Sequence, residues 1–143
     1  MIALDTDILV YAHRAESPDH RRAVECVTSL AQGRAAWAIP WPCIHEFYAV
    51  VTNARIFAPP TSPQVAMRTI EGWFASPTLQ LLAETAEHWA TMRMLLQTAR
   101  ISGGQVHDVR IAALCLEHGV RELWSADRDF HRFPAISVRN PLI

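Results

Sequence analysis

The chain has 143 residues, 50% of them hydrophobic and 19% charged, with a formal net charge of -1. That size and apolar content suit one globular domain with its own core, and the near-neutral balance excludes both a disordered polyelectrolyte and a strongly basic nucleic-acid coat. All 13 cationic side chains are arginine, which excludes Schiff-base chemistry, the phosphate-loop lysine and the kinase lysine, because each needs an ammonium group.

Ile2-Ala3-Leu4 reads as a short buried strand that ends on Asp5. The acid arrives too early for a signal peptide's apolar core, and no apolar run is long enough to cross a bilayer. A soluble, cytoplasmic protein is expected. Asp7 is placed to cap a helix carrying Ile8, Leu9, Tyr11 and Ala12. Ser17-Pro18 predicts the next helix start, with serine as N-cap and proline in the first turn, running to about Leu30 before Gly33.

Ala36 to Ile39 is the second strand, and Pro42 opens a helix with Ile44, Phe47, Tyr48 and Val51 at i, i+3, i+4 and i+7. Glu46 projects from its first turns. After a linker at Ala58-Pro59-Pro60-Thr61, the pattern predicts a helix near Val65 to Phe74, a strand over Leu79 to Leu82 and a long helix over Glu84 to Arg100. Gly103-Gly104 breaks that helix. Asp108 begins another, apolar almost all round through Leu116, as in a helix packed on two sides. Leu123-Trp124 is a last brief strand, ending at Ser125-Ala126-Asp127-Arg128-Asp129. Alternating strands and helices predict an α/β domain over residues 1–143, built on a parallel sheet.

The acids fall at telling places. Asp5 and Asp127 follow strands directly, Asp108 stands at a helix start, and Glu46 lies early in a helix after a strand. In an open α/β sheet these positions share one edge, where ligands bind. Gathered carboxylates raise one another's proton affinity, and a hard divalent cation relieves that cost. Such an ion acidifies water and stabilises charge developing at phosphorus. The residues therefore point to metal binding and phosphodiester cleavage by Asp5, Glu46, Asp108 and Asp127. Turn formation by Asp5 and N-capping by Asp108 are the ordinary alternatives, and Asp129 rivals Asp127 for the fourth place.

Four segments carry a resemblance: Leu4 to Ala12, the Glu46 helix with Val51-Thr52-Asn53-Ala54-Arg55-Ile56-Phe57, His107 to Ala113, and Leu123 to Phe130. In this order and setting they resemble the PIN-domain ribonucleases, specifically the toxin half of bacterial VapBC toxin–antitoxin pairs, over nearly the whole chain. The resemblance implies Mg²⁺ or Mn²⁺ held by Asp5, Glu46, Asp108 and Asp127. It further implies a parallel sheet of four or five strands, endonucleolytic RNA cleavage leaving a 5′-phosphate, a toxin homodimer and neutralisation by a VapB antitoxin. That family often has threonine where Ser125 stands, and serine keeps the hydroxyl.

Thr6, Asp7, Ser125 and Asp129 adjoin the acids and are read as groups that orient ligands, water or phosphate, or that satisfy local backbone. Arg55, Arg110 and Arg128 are the leading candidates to hold RNA phosphates, with Arg14, Arg21, Arg22 and Arg132 behind them. Cys26, Cys43 and Cys115 sit among apolar neighbours and are expected to be reduced thiols. The histidines have no zinc spacing. Tryptophans belong to the core or to protein contacts, with Trp73 and Trp89 candidates to face a partner. Asp5-Thr6-Asp7 also fits a haloacid-dehalogenase-like phosphatase, but the lysine that class uses is absent. A silent binding module of the same fold is the third reading.

Overall fold

The first strand, β1 (Ile2–Leu4), feeds helix α1 (Thr6–His13) through a single residue, Asp5. The computed structural model describes residues 1–143. Helix α2 (His20–Ala31), strand β2 (Trp37–Pro40), α3 (Trp41–Val51), α4 (Pro63–Phe74), β3 (Leu79–Leu82), α5 (His88–Ala99), α6 (Val106–Glu117), β4 (Glu122–Trp124) and β5 (Val138–Arg139) follow. The strands form one parallel sheet in the order β3-β2-β1-β4-β5. Five strands thus meet the expectation of four or five. β5 has only two residues, too few to show a pattern in the sequence.

The order places a topological switch between β1 and β4. From β1 the chain moves outward to β2 and β3, then returns to the other side of β1 as β4. A crevice opens at such a point beyond the carboxyl ends of the strands, and Asp5 and Asp127 emerge there. The ladder persists to its rim, since the Asp5 N–H donates to the Trp124 carbonyl at 3.0 Å.

Both helix-packed faces of a parallel sheet are apolar, and the strands obey this: Ala3, Leu4, Trp37, Ala38, Ile39 and Leu82 are fully buried. Trp37 keeps its indole N–H satisfied by donating to Ser76 Oγ at 3.1 Å. Helix α6 buries Val109, Ile111, Ala112, Ala113, Leu114 and Cys115, the all-round apolarity expected of a helix held on two sides. Helix α3 inserts Phe47 between His13 and Trp73, with ring centroids 5.5 and 4.7 Å away in edge-to-face geometry. Trp73 is therefore part of the core, not a partner-facing residue, whereas Trp89 is 67% exposed.

The starts of α1, α2 and α5 differ from expectation, each for an identifiable reason. The cap of α1 is Asp5, whose carboxylate accepts from the Thr6 N–H at 2.8 Å. Asp7 lies inside the helix and reaches across the fold instead. Helix α2 begins at His20, because Ser17 spends its hydroxyl on the Asp19 N–H at 3.2 Å and the turn before the helix is closed by backbone bonds. Helix α5 begins at His88, four residues late. Thr85 is held out of it by donating from both its N–H and its hydroxyl to Glu117 Oε1, at 3.0 and 2.8 Å.

Gly33 closes α2 where a Cβ would stand 2.9 Å from the Ser29 carbonyl oxygen, so only glycine fits without a shift. No helix is long and apolar enough to cross a membrane. The cysteines are free thiols; Cys43 and Cys115 are buried and Cys26 half-buried.

Candidate functional site

Asp5 is the deepest acid of the site, 5% exposed. Its Oδ1 accepts from the Thr6 N–H and from the Cys43 thiol at 3.7 Å, and its Oδ2 accepts from the Ser125 hydroxyl at 2.7 Å. Burial nevertheless dominates. Reinforced by the charges of Asp7 and Glu46, and only partly offset by the Ser125 and Thr6 hydrogen bonds, it pushes the Asp5 carboxyl up to about 7.

Asp7 stands one helical step further and ties α1 to the loop after β4. Its Oδ1 accepts from the Ile8 N–H at 2.7 Å and its Oδ2 from the Ala126 N–H at 2.8 Å. Burial again raises this acid, to about 6, against those bonds. Glu46 comes from the middle of α3, where its Oε2 accepts from the Thr6 hydroxyl at 2.8 Å. Thr6 thus links the two acids: its N–H serves Asp5 and its hydroxyl serves Glu46.

Asp108 is the third residue of α6, and Gln105 occupies the cap position. Asp108 therefore does not cap this helix, although a carboxylate in the first turn still gains from the helix dipole. Burial, then the charges of Asp127, Asp129 and Glu46, raise its proton affinity. Asp127 caps a 3-10 turn over Arg128–Arg132 by accepting from the Asp129 N–H at 2.9 Å, and its own N–H donates to Ser125 Oγ at 3.0 Å.

One cleft of about 380 Å³ brings Asp5, Thr6, Asp7, Glu46, Asp108 and Asp127 together. Asp129 does not line it; exposed at the rim, it pairs with Arg132 at 3.5 Å. It still belongs to the outer acid group, because ligand oxygens of Asp108, Asp127 and Asp129 lie within 4.8 Å of one another. Both Asp127 and Asp129 thus stand beside Asp108, with Asp127 facing inward. Ser125, fully buried, connects Asp5 to Asp127 from beneath.

The donor set suits a hard divalent cation. It consists of carboxylate oxygens, and burial first, then the charges of neighbouring acids, raises the proton affinities of Asp5, Asp7 and Asp108, a cost that a cation would relieve.

Sequence reasoning missed the other half of the cleft, the apolar wall of Val10, Tyr11, Val50, Phe57 and Ile111. Phe57 is backed by Arg14, whose guanidinium lies 4.3 Å from the ring centroid. Arg14 is in turn fixed by Glu16, by Thr61 Oγ1 at 3.1 Å and by the Pro59 carbonyl at 2.9 Å, so it is not a free phosphate ligand. Cys43 also escaped notice as a neighbour of Asp5. Its place three residues before Glu46 on one helix, hence on the same face, is the signal that leads to it.

Arg21 pairs with Glu25 at 3.4 Å, and Arg22 donates to the Pro141 carbonyl at 3.0 Å. Arg55 and Arg128 are exposed and do not line the acidic cleft. Arg110 projects beside it, from α6.

The PIN domain family model matches residues 2–136 of this chain. The chain is 35% identical to ribonuclease VapC43 of Mycobacterium tuberculosis over 142 residues, which cover 99% of this chain and 96% of that protein. It is 31% identical to ribonuclease VapC48 of the same organism over 137 residues, 96% of this chain and 94% of that one. Among solved structures, VapBC2 from Rickettsia felis, bound to a DNA fragment from its promoter, superposes with a TM-score of 0.68 at 18% identity, covering 97% of this chain and 98% of that one. With the match running through β1, Glu46, Asp108 and Asp127, the chain belongs to the PIN-domain family and to its VapC ribonucleases.

Proposed function

We propose that this protein is a VapC-type endoribonuclease that uses Mg²⁺ or Mn²⁺, held by Asp5, Glu46, Asp108 and Asp127, to hydrolyse RNA phosphodiester bonds. The reading is carried by one observation: acids from four separate elements line a single cleft at the switch point of the sheet. Bound there, the ion supplies acidified water and neutralises charge developing on the phosphate. The protein's part is to hold the ligands in place. Ser125 and Thr6 fix the Asp5 oxygens, Thr6 orients Glu46, and Asp7 locks the β4 loop against α1. The wall of Tyr11, Val50 and Phe57 offers an apolar seat for a base beside the reacting phosphate.

A haloacid-dehalogenase-like phosphatase using Asp5 as nucleophile is disfavoured, because the chain has no lysine to serve that chemistry. The same cleft in a cytoplasmic toxin calls for an inhibitor, and we assign that role to a VapB-type antitoxin, with a second copy of the chain as a further partner. Exposed apolar side chains on α4 (Val65, Met67, Phe74) and α5 (Trp89, Met94) support a surface for protein contacts.

Purified protein is expected to cut RNA with Mg²⁺ or Mn²⁺, to stop in EDTA and to recover on metal addition. Asp108→Asn should lower kcat by at least about a hundredfold, in line with losing transition-state charge stabilisation. RNA cleavage that persists in Asp108→Asn or in EDTA would sink the assignment.

A further inference from the structure

A second cleft, about 250 Å³, opens between α3 and α6 and shares Glu46 as a wall with the acidic one. Its other lining residues are Pro42, His45, Ala49, His107 and Arg110. The α3 members fall at i, i+3, i+4 and i+7, a single helix face, and His107 and Arg110 face them from α6 at i and i+3. His45 and His107 are exposed. Beyond them a third cleft continues along Trp41, Leu82 and Leu114, sharing Pro42 and Arg110 with the second. Arg110 therefore stands where the two meet.

A polyanion laid across the acidic cleft is repelled by it, so its flanking phosphates need hydrogen-bond donors next door. Two arginines near the acids are already engaged: Arg14 donates to Glu16, Thr61 and Pro59, and Arg132 pairs with Asp129. Arg110 has only a distant pair with Glu84, at 3.9 Å and half-exposed, an arrangement worth little in water. Its fork remains available for bidentate phosphate contact.

We infer that the α3–α6 groove is the path of the RNA strand on one side of the acid centre, with Arg110 gripping a flanking phosphate and His45 and His107 contacting the adjoining nucleotide. The tilted pair of Trp41 and His45 rings, 6.1 Å apart, places an aromatic surface further along the same path. This inference rests on the ribonuclease reading and adds to it a side and a set of residues.

The test is steady-state cleavage of a single-stranded RNA oligonucleotide in Mg²⁺ at several salt concentrations, comparing wild type, Arg110→Ala, Arg110→Lys, the double variant His45→Ala/His107→Ala, and Arg34→Ala as an arginine control at the opposite end of β2. Loss of a charge-assisted contact should raise KM for Arg110→Ala about tenfold, well beyond any fall in kcat. The slope of log(1/KM) against log salt should become shallower by about 0.7, the value for one single-strand phosphate. Arg110→Lys should restore that slope, the histidine double variant should raise KM severalfold, and Arg34→Ala should match wild type. A merely structural role for Arg110 would not move the salt slope. Wild-type cleavage with unchanged KM and slope in Arg110→Ala and in the histidine variant would overturn the groove alone; a wild type that cuts no RNA would overturn the ribonuclease reading with it.

Discussion

Ser125 holds the site together at the scale of a single side chain. Its hydroxyl donates to Asp5 and accepts from the Asp127 N–H, so one buried oxygen sets the spacing between acids 122 residues apart in the chain. Replacing it with alanine leaves a buried carboxylate oxygen and a backbone N–H without partners, at about 1–3 kcal/mol. Ser125→Ala is therefore expected to lower unfolding free energy by that amount in urea titration and to weaken divalent-metal affinity measured by calorimetry. Ser125→Thr keeps the hydroxyl and should retain metal affinity near that of wild type. Equal metal affinity in the alanine variant would mean that Asp5 is positioned by Thr6 and Cys43 alone.

At the scale of elements, what could be read from the sequence depended on how local its cause is. Asp5, Asp127 and the strands before them were legible because a buried strand followed at once by an acid leaves its mark in adjacent residues. Glu46 and Asp108 were legible as helix residues. Arg110 and His45 were not legible as neighbours, since their groove exists only once α3 and α6 pack. The start of α5 was misplaced for the same reason: Thr85 is drawn out of its helix by Glu117, a carboxylate 32 residues away. Glu117 is worth its burial here. Desolvation opposes its charge, but bonds from His88 and Thr85 outweigh this and hold it below the usual glutamate value.

Helix α3 couples packing to chemistry, because Phe47 anchors the helix in the core while the residue before it, Glu46, lines the cleft. Phe47 is fully buried against Trp73 and His13, so Phe47→Ala should cost about 3–5 kcal/mol. Thermal unfolding should show the loss, and saturating Mg²⁺ should recover part of it by binding only the folded state. A variant as stable as wild type would show that α3 is held by its other contacts.

For the molecule as a whole, the acid cluster makes folding depend on pH in a direction opposite to that of most proteins. Asp5 is raised to about 7 and Asp7 to about 6 in the folded state, and Asp108 is raised as well, chiefly by burial. In the unfolded chain the same groups ionise near pH 4. Between those values the folded state retains protons that the unfolded state has released, so stability falls as pH rises from about 4 to about 7. Below that window both states are protonated and the effect vanishes; above it the cost is complete. Each unit of separation corresponds to about 1.4 kcal/mol, and the groups share one cluster, so the total is on the order of a few kcal/mol. His13 works the other way, since burial and Arg14 lower its proton affinity, but one half-buried imidazole is outweighed by three acids. A divalent cation replaces the retained protons and should abolish the slope. In EDTA, the melting temperature is thus expected to drop between pH 5 and pH 8. With saturating Mg²⁺ or Mn²⁺ it should stay level or rise, and Asp5→Asn should flatten the EDTA curve. A metal-free protein that grows more stable towards pH 8 would mean that these carboxylates are not charged together in the fold, and the reason for a cation in the cleft would go with it.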